Sequence, residues 1–310
     1  MEHTKKTFKT SIGGQALIEG VMMRGPELTA MATRLPNGEI DVESWPNPGA
    51  RAWYRKAPFV RGIFNLVESL TTGYKCLMRS AAKAGFEDEQ PTKFEKWLAE
   101  KLGKHITTVI SVLAVVLGGV ISVGLFMVLP AFLTGLLRGF LHSSFVRSLV
   151  EGVIKIGIFM LYLALVSRMP DIRRVFCYHG AEHKTIACYE AGEELTIENV
   201  RSKTRFHPRC GTSFMLIVLV ISILVFSVVT WSSVLLRVVL KFLMLPLVVG
   251  IAYEIIKYAG RHDNAVTRFI SAPGLWTQRL TTNEPDDGMI EVAIAAMLPV
   301  IPQDKGSDVW

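Results

Sequence analysis

Residues 106–129 read "ITTVISVLAVVLGGVISVGLFMVL", a run without one charged side chain. A helix crosses the hydrocarbon core of a bilayer with about 20 apolar residues, and this run is long enough. Residues 213–236 are likewise free of charge. Two further runs follow these as partners. Residues 145–166 carry Arg147, Glu151 and Lys155, and residues 238–258 carry Lys241, Glu254 and Lys257. Together they predict a mainly α membrane protein with about four transmembrane helices; two spans plus two buried helices is the alternative. The bulk composition agrees, because 50% of the 310 residues are hydrophobic and the mean hydropathy is +0.35. An ordinary soluble chain of this length is more polar.

The formal charge of +7 is read first as topology. Lys and Arg concentrate in residues 1–105, in 168–212 and in the tail from Lys257, whereas 131–147 holds only Arg138 and Arg147. The third connection is expected to be a tight turn near Arg237. Positive-inside weighting places both termini and the 168–212 loop in the cytosol. No basic run is interleaved with aromatics, so no nucleic-acid partner is expected; the bilayer is the expected one. The first apolar run lies too far into the chain to be a signal peptide. Cys76, Cys177, Cys188 and Cys210 all fall in segments assigned to the cytosol, where thiols stay reduced.

Three parts result: a cytosolic 1–104, a membrane region 105–260 that includes the 168–212 loop, and a cytosolic 261–310. The first opens with the Gly-rich "SIGGQALIEGVMMRGPE" (11–27). Then "LTAMATRLPNGEIDVESWP" (28–46) reads as a β-hairpin around Asn37-Gly38, a pair that suits the tight turn between twisted strands. Residues 60–84 carry a helical apolar stripe: Ile63, Phe64, Val67, Leu70, Tyr74, Leu77 and Met78. That helix packs on the hairpin or lies along the membrane surface. The acidic "EDEQP" (87–91) then precedes an amphipathic lead-in to the first span. Beyond the last span, Trp276 sits among basic residues in the manner of an interfacial segment. "DDGMIEVAIAAML" (286–298) reads as a helix capped by Asp287 with Ile290, Ile294 and Met297 on one side. The last residues are expected to fray.

Chemistry concentrates in the 168–212 loop. "YHGAEHKTIACYE" (178–190) has helix-forming residues, and in a helix His179 and His183 share a face with Glu182 beside them. This H-x-x-E-H order also occurs in inverted zinc-peptidase motifs, where the histidines hold zinc and the glutamate polarises water. "FHPRCGTSF" (206–214) adds His207 and Cys210 immediately before the third span. Zinc takes four nitrogen or sulfur ligands, so His179, His183, His207 and Cys210 make a first shell for zinc or another divalent transition metal. The competing reading is a polar helix face and a pair of residues that only cap a span. Glu254, at the cytosolic end of the fourth span, is a further ligand, an acid–base group, an orienting carboxylate, or simply the salt-bridge partner of Lys257 or Arg261. Arg147, Glu151 and Lys155 share one helix face and are assigned a structural role near the outer leaflet.

Three stretches carry a family resemblance: "GGQALIEGVMMRGP" (13–26), the long run 178–214, and "PGLWTQRLTTNEP" (273–285). They resemble the YqhQ-like bacterial membrane proteins, a family of unknown function often described as predicted metal-dependent enzymes. The resemblance implies a multi-pass protein of the bacterial cytoplasmic membrane with a cytosolic His/Cys-rich loop; it supplies no substrate. It also draws attention to Glu19 and Arg24, which either fold against the loop site or belong to a Gly-rich connection. Two functions stand open. In one, three ligands leave a coordination position for water, Glu182 or Glu254 is the base, and the reaction is metal-assisted hydrolysis at the cytosolic membrane face. In the other, four ligands close the shell and the ion staples a non-catalytic partner of another membrane protein. A metal-ion transporter is the weakest option, because the spans lack the run of carboxylates and histidines such a path needs.

Overall fold

The computed structural model describes residues 8–47, 53–55, 57–85, 106–137, 139–227, 234–262, 264–304 and 307–309. The acidic 87–91 break and the lead-in to the first span lie outside the described residues. So does the stretch 228–233, into which the span expected over 213–236 runs. The chain is mainly helical with one four-stranded antiparallel sheet, order β1-β2-β3-β4. The strands are β1 Gly13–Leu17, β2 Gly20–Arg24, β3 Leu28–Arg34 and β4 Ile40–Pro46. The Asn37-Gly38 hairpin is present, with Gly38 at φ 88° and Leu35 donating to Glu39 O at 2.8 Å. The Gly-rich opening is itself a second hairpin. Its turn places Glu19 at φ 51°.

The helices are α1 Val60–Lys83, α2 Ile106–Val123, α3 Leu129–Leu136, α4 Ser144–Val166 and α5 Pro170–Glu190. They continue as α6 Ile197–Arg201, α7 Gly211–Ser227, α8 Val234–Arg261, α9 Ala265–Thr281 and α10 Asp287–Met297. A π-helical turn, Gly124–Val128, joins α2 to α3. Three helical stretches are long and apolar enough to cross a membrane: Leu113–Leu136, Phe145–Val166 and Phe242–Arg261. The third expected span, 213–236, is represented by α7, whose described part is a shorter apolar helix. Arg237, where a turn is expected from the sequence, lies inside α8, which is helical from Val234.

The main core unites the three parts drawn from the sequence. Val21, Met23, Ala30 and Ala32 from the sheet meet Tyr178, Ala181 and Ile186 of α5 and Val292, Ala293 and Ala296 of α10. The boundaries at 104/105 and 260/261 therefore cut across a single packing unit. The 168–212 segment is mostly helix rather than loop: α5 starts at Pro170, where a missing N–H costs nothing in a first turn. Asp286, not Asp287, caps α10 by accepting from Met289 N at 2.8 Å. Asp287 instead pairs with Arg201. The C-terminal residues are also held, because Thr10 Oγ1 donates to Asp308 Oδ2 at 2.6 Å in a buried contact. Fraying was the wrong expectation there. All four cysteines are free thiols.

Helix α1 packs on the sheet and on α8, but most of its apolar stripe points away, Leu77 being packed against the sheet cluster of Leu17, Met22 and Met31. Gly62, Gly73, Cys76 and Ser80 form its buried side, while Phe64, Val67, Leu70, Tyr74 and Met78 are exposed.

Candidate metal centre

The site is built on the second half of α5, where Tyr178 and the run from Gly180 to Ile186 are buried, polar residues included. Two close backbone approaches make this possible. Gly180 faces Asn283 O so tightly that a Cβ there would lie 2.0 Å from it. Gly14 of β1 lies over Glu182, with a would-be Cβ 2.9 Å from the carboxyl carbon. The helix then presents His179 and His183 on one face, with ring centroids 4.4 Å apart.

His179, His183 and Cys210 come together, their ligand atoms all within 4.8 Å of one another. His179 Nε2 is 3.2 Å from Cys210 Sγ. Two ligands of one tetrahedral zinc ion stand roughly 3.5 Å apart, given bonds of 2.0–2.3 Å. Each histidine is held from behind. His179 Nδ1–H donates to Thr281 O at 2.8 Å, and His183 Nδ1–H donates to Arg205 O at 2.6 Å. A carbonyl only accepts, so each proton resides on Nδ1 and each Nε2 is turned toward the centre. Thr212 N–H donates to Cys210 Sγ at 3.4 Å from the first turn of α7.

Electrostatics favour a ligating thiolate. Burial alone would raise the Cys210 thiol, but His179 and His183 draw it well below its ordinary value. Burial works against charge on His179 as well, yet the Cys210 sulfur holds that imidazole above its usual range. These shifts favour a Cys210 thiolate beside a protonated His179, and a metal held there would take the place of that proton. Glu182 is 4% exposed, and its Oε2 has no hydrogen-bond partner. Burial raises its carboxyl above the usual carboxylate range against the pull of the two histidines. An orphaned buried oxygen beside a nitrogen–sulfur donor set fits a cation, or a water held by one.

His207 stands at the edge. Its ring centroid is 5.5 Å from that of His183, and it is not a member of the close group. Arg209 Nη2 donates to His207 Nε2 at 3.3 Å, and Glu190 Oε2 lies 3.8 Å from the same nitrogen. Burial keeps this imidazole below its ordinary value. Gln278 of α9 clamps the His207 backbone from both sides: His207 N–H donates to Oε1 at 2.8 Å and Nε2 donates to His207 O at 2.7 Å. A cavity of about 90 Å³ lies between Ser11–Gly14 and the centre, lined by Glu182, His183, His207, Arg209 and Cys210.

Glu254 is elsewhere engaged. It forms a two-point pair with Arg61 and accepts from Phe59 N–H at 3.1 Å. Glu19 does fold against α5, but there it meets Arg174 and accepts from Tyr178 Oη at 3.1 Å. Arg24 pairs with Glu68 of α1 at 2.6 Å. Sequence reasoning missed Glu190, Arg209 and Gln278 as builders of the site. Glu190 ends the stretch that names the histidines, and Gln278 is the amide inside 273–285. Their spacing to one another gives no periodic signal.

Fold and centre define a mainly helical chain with three membrane-length apolar helices and a buried His/Cys cluster able to hold a metal. It belongs to the family described as "Protein of unknown function (DUF1385)", which matches residues 57–303. It is 34% identical over 296 residues to the "Uncharacterized protein YqhQ" of Bacillus subtilis (strain 168), covering 94% of this chain and 92% of that protein. No solved structure matches.

Proposed function

We propose that the chain is a multi-pass protein of the bacterial cytoplasmic membrane, with both termini cytosolic and α7 completing a fourth span. At the cytosolic face it is a metal-dependent hydrolase. His179, His183 and Cys210 would hold zinc or a similar divalent ion beside the cavity. The observation that carries this reading is the turning of His207 Nε2 to Arg209 and Glu190 while the cavity reaches Glu182. An ion held this way supplies Lewis acidity, which makes water a nucleophile near neutral pH. Glu182 Oε2, unpaired and raised by burial, takes the proton from that water and returns it to the leaving group. Arg209 and the Gly13–Gly14 backbone flank the space where the reacting group enters. A cavity of about 90 Å³ admits a small group and several waters, so the substrate presents one hydrolysable group from a larger lipid-linked or protein body.

A second reading, the metal-stapled membrane partner, is favoured by the depth of burial: His183 is 1% exposed. The two separate on ligand count. Full-length protein purified in detergent is expected to hold one ion per chain. The ion should be lost in His183→Ala and Cys210→Ala and kept in His207→Ala and Glu182→Gln. In the cobalt-substituted protein, added azide should shift the visible bands, because a position is open. Loss of metal in His207→Ala with no azide response would replace the hydrolase with the closed staple. Metal-free wild-type protein would overturn both.

A further inference from the structure

Helices α1 and α9 have their polarity reversed relative to a helix on a water-facing surface. Such a helix buries its apolar side and exposes its polar one. The buried side of α9 is Thr267, Ser271, Gly274, Thr277, Gln278 and Thr281. Its outer side carries Val266, Phe269 and Trp276, exposed by 61%, 81% and 58%. These residues recur at three- and seven-residue steps and so form one stripe at about 100° per residue. On α1 the exposed stripe runs from Phe64 through Leu70, 64% exposed, to Met78, opposite the small buried residues. Both inner faces are already occupied. Gly73 sits against the Gln15 side chain, and Gly274 sits against Ser213. Beyond the stacking of Tyr54 on Phe64, the exposed parts of these stripes face away from the rest of the described chain.

Their position says what covers them. The start of α1 is fixed to the cytosolic end of α8 by Arg61–Glu254 and by the contact of Gly62 with Tyr253. The middle of α9 crosses the first turn of α7, and Gln278 Nε2 donates to Ser213 Oγ there at 3.0 Å. Each stripe thus begins where an apolar rod ends. Aromatics of interfacial type mark both helices: Trp276 on α9, and exposed Trp53 beside Tyr54, which stacks on Phe64 with centroids 4.3 Å apart. Lys75 and Arg279 are exposed beside the stripes, where their stems can run along the lipid and their charges reach the headgroups.

We infer that α1 and α9 lie in the cytosolic interface of the bilayer with these stripes in the headgroup–acyl boundary, which holds the His/Cys centre at headgroup depth. The inner side of α9 supplies both the Gln278 clamp on His207 and the Thr281 carbonyl behind His179. One helix, about 10 Å across, then separates the centre from lipid. This inference rests on the membrane reading above and narrows the substrate to an amphiphile whose reacting group lies at the headgroup level.

The test is depth-resolved quenching of a fluorescent non-natural amino acid in the full-length protein, reconstituted in phosphatidylcholine–phosphatidylglycerol vesicles. It is placed singly at Leu70, Phe269, Val120 in the first rod, and Asn37 in the hairpin turn. Bromines near the headgroup end of the acyl chains should quench Leu70 and Phe269 at least about twofold more than aqueous iodide does. Val120 should respond to bromines deep in the chains, and Asn37 to iodide alone. Iodide quenching at Leu70 and Phe269 with Val120 still deep would overturn the inference and leave the membrane reading standing. Iodide quenching at Val120 would overturn both. Shielding of Leu70 and Phe269 from bromine and iodide alike would mean that protein, a second copy or another chain, covers the stripes, and this too would overturn it.

Discussion

The unit around α10 keeps its apolar residues inside, whereas the unit around α7 to α9 has a small inner cluster of Ile217, Ala252 and Ile256 and turns many more outward. In the first, Val292, Ala293, Ala296 and Met297 are buried against the sheet and α5, as water demands. In the second, Leu243, Phe269 and Trp276 face outward, while Ser213, Thr277 and Gln278 are packed inside. The His/Cys centre sits on the seam between them. Its two histidines come from a helix of the first kind, Cys210 precedes a helix of the second kind, and the carbonyl behind His179 comes from α9. One physical rule cannot describe both halves, and the site occurs where the two rules meet.

The largest expected effects break this contrast directly. Val292→Asp places an unpaired charge in the sheet–α10 core and should destabilise the fold by about 4 kcal/mol. Thermal unfolding of the detergent-solubilised protein should show it. Val120→Asp, on the exposed side of the first rod, would be harmless on a water-facing surface. In a bilayer it should cost about 3 kcal/mol of membrane insertion, read as a reduced membrane-inserted fraction in cells. A harmless Val120→Asp would erase the contrast.

Next in size is the seam itself. Gln278→Leu leaves the His207 N–H and C=O without their buried partners, at about 1–3 kcal/mol for each group. The melting temperature should fall, and the loss should exceed that of Trp276→Ala on the same helix in detergent. Gly180→Val drives a branched side chain into Asn283 O and Pro285. Overpacking of this kind costs about 1–3 kcal/mol, and here it also pushes α5 from the 281–285 segment that holds His179. The predicted signature is loss of bound metal together with lowered stability, whereas Gln278→Leu lowers stability first.

Much of this was legible in the sequence, and for local reasons. The Asn37-Gly38 hairpin, the apolar rods and the i, i+4 histidines each announce themselves within a few residues. The β1–β2 hairpin does not, because Glu19 rather than a glycine takes the left-handed turn position and β2 is buried on both faces, which erases alternation. The stripe on α1 was visible, but a period does not say which way a face points. The packed side consists of small residues that carry no hydrophobic signal. The three residues of the close His179–His183–Cys210 group stand out in the sequence by type and spacing. The position of His207 was not legible, since it depends on Gln278 and Glu190, far away or differently oriented in the chain. Thr10 and Asp308 likewise meet across nearly the whole sequence, which no local reading of the tail can anticipate.

The smallest effect tests the edge of the centre by pH. Burial would push the Glu190 carboxyl up, but the neighbouring His207 imidazole and the charge of Arg209 outweigh it and hold it below the ordinary carboxylate value of 4.5. Thr10 N–H donates to the same group at 2.8 Å, so Glu190 ties the N-terminal arm to the 207–210 turn. A carboxyl lowered by folding contributes its stability above the unfolded value, and that stability is lost as pH falls through the folded one. Above about pH 5 the contribution should therefore be complete, and it should fade below pH 4.5. Glu190→Gln should lower stability at pH 7 by roughly 1.5–3 kcal/mol, the range of a hydrogen bond to a charged group, and should flatten the acid limb of the stability profile. An unchanged acid limb in Glu190→Gln would mean that the arm is held by its other contacts, Thr10 and Ser11 with Asp308 and Lys9 with Gly260. The Ser11–Gly14 stretch over the cavity would then be anchored by those contacts and not by the His207 edge of the His/Cys centre.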